Sequence, residues 1–534
     1  MYAAPEKDPL VRLPQPPPSV LLILADDLGY NDVSYNYNGG TFAKIQTPNI
    51  DSIARNGVIF SKFYAAASVC GPSRNGLMTG RYPQRWGIHG NLPLATTERT
   101  LSEALKLSRS PYTNYMVGKW HLGSHQLQRP MARGFDQFFG FLNGGHRYRP
   151  DELFSDRGGY ESLIQRDGKN VTTTKYLTEE FTDAGVAYID SHFSTRAAAA
   201  PPPPPFFLYM AYNAPHTPID SPQTYQDRYR RSNEKGGNIG SRPGKRVVYA
   251  GMVICLDDGV GELLKALRRR NAEENTIVIF TSDNGGISTD GKGYHGQSNS
   301  PLKGGKESYN EGGIRVPFVM QWKGTLSSDV NYRKLASAFD IAATITSLAG
   351  VPAADCQPYD GINLMPHMAM ETSSKYASVL AAAKRMGNYG CISNGAADTK
   401  CAPRELFFDM CKSRKAGHRS AVVQDTPLKL YKINTGHALY KLDEDGTGEE
   451  TNVTQYYLPT FNTLKAKLEA WKHTMPVPTS SRCSEGDKLL YGGSFSACPA
   501  PAGVANKGQK GSRRVFHNRT RIHTVHWENS RDVT

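Results

Sequence analysis

Polar residues that could do chemistry follow four predicted strands of this 534-residue chain, at the points where the strands end. In open α/β sheets, ligands bind beyond the carboxyl ends of the strands, so these side chains are expected to meet. Each has a simpler explanation when taken alone, such as a helix cap, a turn or a structural histidine. Their joint placement predicts a site made of Asp26, Asp27, Lys119, His121, His216, Asp283 and Asn284.

The types of these residues indicate a divalent metal ion in a cationic pocket. Three carboxylates and an amide oxygen form a hard, oxygen-only ligand set, which favours Ca²⁺ or Mg²⁺ over zinc or copper. Two lysines, two histidines and Arg74 around that set would suit a tetrahedral anion. Such an anion needs its charge held and its leaving group protonated.

A single cysteine, Cys70, lies in "SVCGPSRNGLMTGRY" (68–82), a stretch with almost no apolar periodicity. The block "CGPSRNGLMTGR" (70–81) matches C-x-P-S-R followed by L-x-T-G-R. It resembles the signature of the sulfatase family, which directs oxidation of the cysteine to formylglycine. Further blocks resemble sulfatases in the family's order, namely "ADDLGYNDV", "GKWHLG", "RGFDQFFGF", "APHTP", "SDNGG" and "PLKGGKESYNEGGIRVP".

The resemblance is strongest to arylsulfatases of the N-acetylgalactosamine-4-sulfatase type. It covers about residues 19 to 350, with a weaker echo in "LYKLDEDGTGEETNV" (439–453). It implies an alkaline phosphatase-like fold and the hydrolysis of aryl or carbohydrate sulfate esters. A sulfated small molecule or polysaccharide would be the substrate, and a formylglycine-generating enzyme would be a partner.

The resemblance also implies a role for each matched residue. Arg74 would hold the modified side chain, and Lys119 and Lys306 would grip the sulfate oxygens. His121 would act as base on the formylglycine hydrate, and His216 would assist the leaving alcohol. One Ca²⁺ per chain would be bound by Asp26, Asp27, Asp283, Asn284 and the formylglycine made from Cys70.

The chemistry of the oxidised cysteine agrees with these roles. A thiol is a soft ligand for Ca²⁺, whereas a hydrated aldehyde offers two hydroxyls, one of which can bind the metal and ionise more easily there. The second hydroxyl lets a base expel sulfate by re-forming the aldehyde. Lys303, also in "PLKGGK", competes with Lys306 for its role.

Two other functions are compatible with the residues. A phosphatase or phosphonate hydrolase would use the same metal and cationic pocket. A catalytically silent polyanion-binding protein would use the net charge of +14. No basic helix interleaved with aromatic residues is present, so we expect no nucleic-acid partner.

The apolar patterns predict an α/β fold, with a large, mostly parallel sheet flanked by helices. The run 20–25 is apolar on every residue, as in a strand covered on both faces, and similar runs occupy 112–117, 205–212 and 276–282. One helix is predicted after Thr47, which would cap it. A second helix is predicted over 247–271. Its Asp257 and Asp258 are interpreted as solvated or capping charges rather than ligands. Its apolar residues fall on one face, namely Val248, Met252, Leu256, Val260, Leu263, Leu264 and Leu267.

We expect four parts along the chain. Residues 1–18 form a leader segment, 19–350 the catalytic domain, 351–475 a smaller C-terminal α+β domain, and 476–534 a basic, poorly ordered tail. The low-complexity run "AAAAPPPPP" (197–205) is interpreted as a surface insertion.

Cellular location is predicted from the chemistry, because formylglycine formation resembles an event of the secretory pathway. Sequons at Asn170, Asn452 and Asn518 suggest a glycoprotein, yet no signal peptide is visible at the N-terminus. No apolar run approaches the roughly 20 residues of a membrane span, so none is expected.

The chain has eight cysteines. Cys391, Cys401 and Cys411 are too far apart for a compact metal knuckle and are expected to form a loop disulfide or buried thiols. Removing Cys70 leaves an odd number, so at least one other thiol should be unpaired.

Overall fold

The central sheet is organised around β1 (Ser19–Ala25), whose seven residues are all buried. Alternate side chains of a strand point to opposite faces. Accordingly, Leu22 and Leu24 of β1 join one hydrophobic core, and Leu21 and Ile23 join another. A core on each face is what a parallel sheet covered by helices requires.

The computed structural model describes residues 17–40, 42–88, 90–150, 163–194, 203–234, 243–287, 295–368, 404–413, 417–433 and 436–476. Within them the main sheet has ten strands. In spatial order these are β11 (Val330–Tyr332), β2 (Val58–Phe60), β10 (Phe318–Trp322), β9 (Thr276–Ser282), β1, β8 (Phe206–Ala211), β4 (Thr113–Lys119), β5 (Gln137–Phe141), β6 (Gln165–Arg166) and β7 (Lys169–Asn170).

The sheet is mostly parallel, which confirms the predicted fold class. β1 pairs in parallel with β8 and β9, and β4 pairs in parallel with β8 and β5. In register, Leu22 of β1 lies between Tyr209 and Ile279. The carboxyl ends of β1, β4, β8 and β9 therefore meet at one edge, where the predicted site residues follow them.

Helices cover both faces of the sheet. Residues of α1 (Pro48–Arg55), α4 (Leu177–Ser194), α5 (Gln223–Ser232) and α6 (Pro243–Arg269) join the core that contains Leu21. Residues of α2 (Cys70–Thr79), α3 (Leu101–Leu105), α7 (Glu311–Ile314) and α8 (Phe339–Leu348) join the core that contains Leu22.

Two details of the predicted helices differ in the structure. Thr47 occupies the N-cap position of α1 but makes no side-chain cap hydrogen bond. The cap is instead Asp257 of α6, which accepts hydrogen bonds from the backbone N–H of Asn49 and Ile50. The helix α6 exists as predicted, but residues outside the expected face, such as Val253, are also buried, because α6 packs against α1, α4 and α5.

The C-terminal part contains a four-stranded antiparallel sheet and one helix, as the predicted smaller α+β part requires. The strands are β13 (Glu405–Ser413), β14 (Gly417–Gln424), β15 (Leu428–Ile433) and β16 (Gly436–Lys441), followed by α9 (Leu458–His473). A two-stranded parallel sheet of β3 (Phe63–Tyr64) and β12 (Ala336–Ser337) lies in the catalytic part.

Several predicted features lie outside the described residues. These are most of the leader segment, most of the insertion 197–205, nearly all of the tail 476–534, Cys391, Cys401 and Asn518. Among the residues that are described, Cys70, Cys255 and Cys356 are free thiols, so the expected additional unpaired cysteine is found. No helix of the described segments combines the length and apolarity needed to cross a bilayer.

Candidate active site

Cys70 is the first residue of α2, and all ten residues of this helix are buried. A helix buried on every side needs no polar face, which explains the missing apolar periodicity of the block. Gly76 lies against α8, where a Cβ atom would come within 2.7 Å of the Phe339 ring. The helix ends at Gly80 with a φ of 67°, a left-handed conformation that glycine adopts readily.

Two consecutive carboxylates reach the sulfur of Cys70. Its Sγ lies 3.3 Å from Asp26 Oδ1 and 3.8 Å from Asp27 Oδ1. Successive side chains of an extended strand would point to opposite sides, but Asp27 has a left-handed φ of 61°. This conformation is uncommon outside glycine and clusters at functional sites. The turn after β1 thus brings both carboxylates to one place.

Arg74, one turn along α2, ties the ends of three strands together. Its Nε donates to Asp283 Oδ2 after β9 at 2.9 Å, and its Nη1 donates to the Lys119 carbonyl at the end of β4 at 3.0 Å. Its Nη2 lies 3.6 Å from Asp26 Oδ2. Burial disfavours the guanidinium charge, but Asp283 and Asp26 outweigh it and raise the pKa of Arg74.

Two lysines face the same carboxylates. Lys119 Nζ donates to Asp26 Oδ2 at 2.6 Å, and Lys306 Nζ donates to Asp27 Oδ2 at 2.7 Å. Burial opposes the ionisation of both aspartates, yet the neighbouring cations, chiefly Lys119 for Asp26 and Lys306 for Asp27, lower the pKa of each carboxyl. Lys303 instead binds the Glu449 carbonyl, so the structure places Lys306 and not Lys303 in the site.

The two histidines follow different strands, His121 after β4 and His216 after β8. His216 Nε2 is 3.5 Å from Asp27 Oδ2, and its Nδ1 is 2.6 Å from the Thr217 carbonyl. Burial lowers the pKa of both rings, and Lys119 and Arg74 lower that of His121 further. If Nδ1 of His216 donates to Thr217, its Nε2 is an acceptor that can exchange a proton with a ligand.

The cluster fits a hard cation. Asn284 Oδ1 is buried without a hydrogen-bond partner among the described residues, while its Nδ2 donates to Asp27 Oδ1 at 2.7 Å. The possible ligand atoms of Asp26, Asp27, Cys70 and His216 lie within 4.8 Å of one another. This group contains His216 but not Asp283, whereas the ligand set predicted from the sequence contains Asp283 but not His216. We favour the oxygen donors because calcium and magnesium prefer them.

Burial raises the pKa of the Cys70 thiol well above its ordinary value, and the nearby Asp26 and Asp283 raise it further. The unmodified side chain is therefore a neutral thiol surrounded by carboxylates. A neutral thiol is a poor nucleophile. This environment is better suited to a metal-binding hydroxyl than to a reactive cysteine.

Two asparagines that organise the site were not predicted from the sequence. Asn91 Oδ1 accepts a hydrogen bond at 3.0 Å from the backbone N–H of Gly71, beside Cys70. Asn299 binds the backbone of Gly286 and Gly304, and so links the loops that carry Asn284 and Lys306. Both come from loops without periodicity, so one sequence gives no signal for them.

The predicted residues are otherwise brought together as expected. Asp26, Asp27, Cys70, Arg74, Lys119, His216, Asp283, Asn284 and Lys306 form one connected network of contacts. His121 has electrostatic contact with Lys119 and Arg74 and packs against Gly144, where a Cβ atom would lie 2.7 Å from its Nε2. Asp257 and Asp258 take no part.

Two curated proteins are similar to this chain in sequence. N-acetylgalactosamine-6-sulfatase of Mus musculus is 31% identical over 380 residues, which is 66% of this chain and 66% of that protein. Arylsulfatase J of Mus musculus is 34% identical over 62% of this chain, which spans about half (52%) of it.

A solved structure supports the same relationship. The crystal structure of Ps i-CgsB in complex with k-i-k-neocarrahexaose has a TM-score of 0.72 and 30% identity, and covers 89% of this chain and 99% of that one. A family model described as Sulfatase matches residues 18–351. The signature around Cys70, the fold and the convergent site agree with these matches, and the chain belongs to the sulfatase family.

Proposed function

We propose that this protein hydrolyses sulfate esters, with formylglycine made from Cys70 and one Ca²⁺ as its cofactors. The observation that carries the proposal is the position of Cys70. Its Sγ lies at hydrogen-bond distance from Asp26 and Asp27, and two lysine ammonium groups bind the same carboxylates.

The metal would be held by Asp26, Asp27, Asp283, Asn284 and the modified Cys70. When bound, Ca²⁺ would neutralise the carboxylates and favour ionisation of a hydroxyl of the modified side chain. Arg74 would keep Asp283 in place through the contacts described above, and Asn284 would offer its unpartnered Oδ1.

The remaining residues would act on the sulfate ester. Lys119 and Lys306 would hold the sulfate oxygens, since both ammonium groups are buried at the cluster and a tetrahedral anion needs its charge balanced. His216 would take up a proton at Nε2 and pass it to the leaving alcohol. His121, whose Nδ1 has no hydrogen-bond partner in the described structure, would serve as base at the modified residue.

Carbohydrate sulfates are the substrate class that the relatives support. One relative is named for N-acetylgalactosamine 6-sulfate, and one structural neighbour was solved with a carrageenan hexasaccharide. The net charge of +14 would favour a polyanionic substrate. A formylglycine-generating enzyme would be required as a partner, and we propose the secretory pathway as the location.

The test is turnover of 4-nitrophenyl sulfate by purified protein with Ca²⁺, compared with Cys70→Ala. The matched control is Cys255→Ala, which removes another buried free thiol outside the site. We expect Cys70→Ala to lose all measurable activity and Cys255→Ala to retain it.

Mass spectrometry of the peptide that contains Cys70 accompanies the assay. Active protein should contain the aldehyde in place of the thiol. Equal activity in Cys70→Ala, or an unmodified thiol in fully active protein, would refute the mechanism. Faster turnover of 4-nitrophenyl phosphate than of the sulfate would identify a phosphatase instead.

A further inference from the structure

A second cleft opens at the same edge of the sheet as the candidate active site. It encloses about 470 Å³, a volume typical of ligand pockets. Its lining shares no residue with the candidate active site. We call it the tyrosine cleft and define it by Tyr30, Tyr35, Asn36, Tyr37, Lys62 and Asn331.

The strand order of the sheet shows on which side of the candidate active site the cleft lies. β2 is antiparallel to β10, which is antiparallel to β9, so β2 runs in the same direction as β1. Lys62 follows the carboxyl end of β2, and Asn331 lies in the neighbouring parallel strand β11. With strands about 4.8 Å apart, β2 lies roughly 14 Å from β1 along the sheet.

The cleft and the active site share two loops. The loop after β1 carries Asp27 into the active site and continues into Tyr30 and Tyr35 of the cleft. The loop that carries Lys306 also supplies Pro301 to the cleft wall. Asn299 joins the two loops, because its Oδ1 accepts hydrogen bonds from the backbone N–H of both Tyr30 and Gly286.

The chemistry of the lining is that of a sugar-binding surface. Tyrosine rings offer a broad apolar face with a polar end, and side-chain amides can donate to and accept from neighbouring hydroxyls. Three tyrosines and the amides of Asn36 and Asn331 combine these properties in one cleft. Arg315, Arg333, Glu444 and Asp445 complete the wall, with Arg333 paired to Glu444 at 3.0 Å, and Lys62 adds a cation without an ion pair to the described residues.

Several of these polar groups have no partner within the described part of the chain. The Tyr35 hydroxyl is buried and unpaired. The side chains of Asn36, Lys62 and Asn331 make no hydrogen bond or ion pair with described residues. Buried polar groups normally have partners, so the Tyr35 hydroxyl indicates that a polar ligand completes the cleft.

We propose that the tyrosine cleft binds a sugar unit of a sulfated polysaccharide while another unit presents its sulfate ester at Cys70. This inference rests on the proposed sulfatase activity and assigns it a polymeric substrate. The strands that carry Lys62 and Asp27 are offset by roughly 14 Å along the sheet, a distance that an oligosaccharide can bridge. Lys62 faces a sulfate of the bound unit, and the amides and the Tyr35 hydroxyl bind its hydroxyls.

The experiment compares a long substrate with a short one. Steady-state kinetics are measured on 4-nitrophenyl sulfate and on hexasaccharides from chondroitin 6-sulfate and from carrageenan, using whichever hexasaccharide the wild type turns over. Lys62→Ala should raise KM for the hexasaccharide about tenfold, since each lost contact to a charged group weakens binding by such a factor. Its kinetics on 4-nitrophenyl sulfate should stay within twofold of the wild type.

Tyr35→Phe removes only the unpaired hydroxyl. A purely structural role predicts unchanged or higher thermal stability and unchanged kinetics, whereas the proposed role predicts about a fivefold higher KM for the hexasaccharide alone. Lys465→Ala, on the exposed face of α9, is the control for loss of one positive charge and should match the wild type. Equal losses on both substrates, or hexasaccharide kinetics unchanged in both variants, would overturn the proposal.

Direct binding separates this inference from the proposed function. Calorimetric titration of the same hexasaccharides into Cys70→Ala protein measures affinity without turnover, and Lys62→Ala in that background should weaken it about tenfold. If the wild type hydrolyses neither substrate but this binding difference is seen, the sulfatase proposal fails and the cleft assignment stands. Absence of hexasaccharide binding to the Cys70→Ala protein overturns the cleft assignment.

Discussion

Lys303 and Lys306 lie three residues apart, yet only one reaches the catalytic carboxylates. Lys306 Nζ is 2.7 Å from Asp27 Oδ2, whereas Lys303 Nζ binds Glu449 and Glu450. We predict that Lys306→Met lowers kcat/KM on 4-nitrophenyl sulfate at least a hundredfold, as expected for loss of a buried charge aimed at a developing anion.

Lys303→Met is the matched control for this prediction. It removes the same charge from the same loop, and its ion pair with Glu450 is largely exposed and contributes little. Its kcat/KM should stay within about threefold of the wild type. A larger loss in Lys303→Met than in Lys306→Met would show that the loop rearranges when substrate binds.

Calcium should stabilise the protein through the oxygen of Asn284. A ligand that binds only the folded state raises stability by RT ln(1 + [L]/Kd), so chelation with EGTA should lower Tm and added Ca²⁺ should restore it. In Asn284→Ala the Ca²⁺-dependent rise in Tm should shrink or require more Ca²⁺. Asn462→Ala, exposed on α9, is the control and should respond as the wild type does; an equal response in Asn284→Ala would contradict the assigned ligand.

Much of this site could be predicted from the sequence because its polar residues directly follow the predicted strands. Asp26, Lys119 and Asp283 each follow an apolar run that reads clearly as a strand. Asn91 and Asn299 escaped prediction because they act through the backbone of distant loops. Such contacts depend on how loops fold over one another, and one sequence does not encode that in any local pattern.

At the scale of elements, α1 is capped from another helix. Asp257 of α6 accepts from the backbone N–H of Asn49 and Ile50 and from the Asn49 side chain. Asp257→Ala would leave these buried donors unpaired, at a cost of about 2–3 kcal/mol in the free energy of unfolding. Denaturant unfolding measures this change.

Asp258, the next residue, is the matched control. It forms a partly exposed ion pair with Arg228, and such pairs contribute about 0–1 kcal/mol. Asp258→Ala should therefore unfold within about 1 kcal/mol of the wild type. Equal effects of the two substitutions would show that the cap contributes no more than a surface charge.

Asp257 also makes the free energy of unfolding depend on pH, and the direction of this dependence follows from its pKa. Burial raises the pKa of Asp257 to about 6, with Asp258 adding to the rise, although the N–H groups of Ile50 and Asn49 oppose it. The unfolded value is about 3.9, so the folded state binds the extra proton between these values. The proton-linked part of the Asp257 contribution, which adds to that of its capping hydrogen bonds, is complete below the unfolded pKa and is lost as pH rises through about 6.

The comparison with Asp257→Asn isolates this group, because the other titrating groups are common to both proteins. The free energy of unfolding of the wild type, minus that of the variant, should increase as pH falls from 7 to 4. The slope should approach about 1 kcal/mol per pH unit. Denaturant unfolding at each pH provides the values, and a constant difference would refute the raised pKa.

Among elements with no solvated face, the sequence predicted the strands but not the helix. β1 and β9 were readable because a strand buried on both faces is apolar throughout. The helix α2 was not readable as a helix, because it is buried on every side and contains two glycines and a proline. Close packing against α8 requires small residues such as Gly76, and these residues make the sequence pattern less typical of a helix.

At the scale of the whole molecule, the C-terminal sheet shares a core with the catalytic part. Leu406, Phe408 and Tyr431 join the hydrophobic core that also contains Tyr64 and Phe339. From local patterns the sequence predicted one strand and turn within 437–453 and the helix over 461–475, but not the other three strands of this sheet. It could not predict this packing, since contacts such as that between Tyr64 and Phe408 join residues more than 300 positions apart.

A buried charge cluster links the two parts. Lys429 of β15 donates to Glu311 of α7 at 2.8 Å and lies 2.8 Å from Glu449, and all three side chains are almost completely buried. Glu311 begins a short helix five residues after Lys306. The C-terminal sheet therefore supports the segment that carries Lys306 into the active site.

Lys429→Met should destabilise the protein by about 3–5 kcal/mol, because it removes the cation paired with buried Glu449 and leaves buried Glu311 with only the more distant Arg315, at 3.6 Å. Lys441→Met, exposed on the neighbouring strand β16, should have an effect below about 0.5 kcal/mol. Calorimetric Tm values of both variants test the difference. Replacing all three charged residues of the cluster with apolar ones should recover only part of the lost stability, since their charges are removed together but buried Arg315 loses its contact with Glu311. A Tm of Lys429→Met equal to that of Lys441→Met would mean that the cluster does not join the two parts.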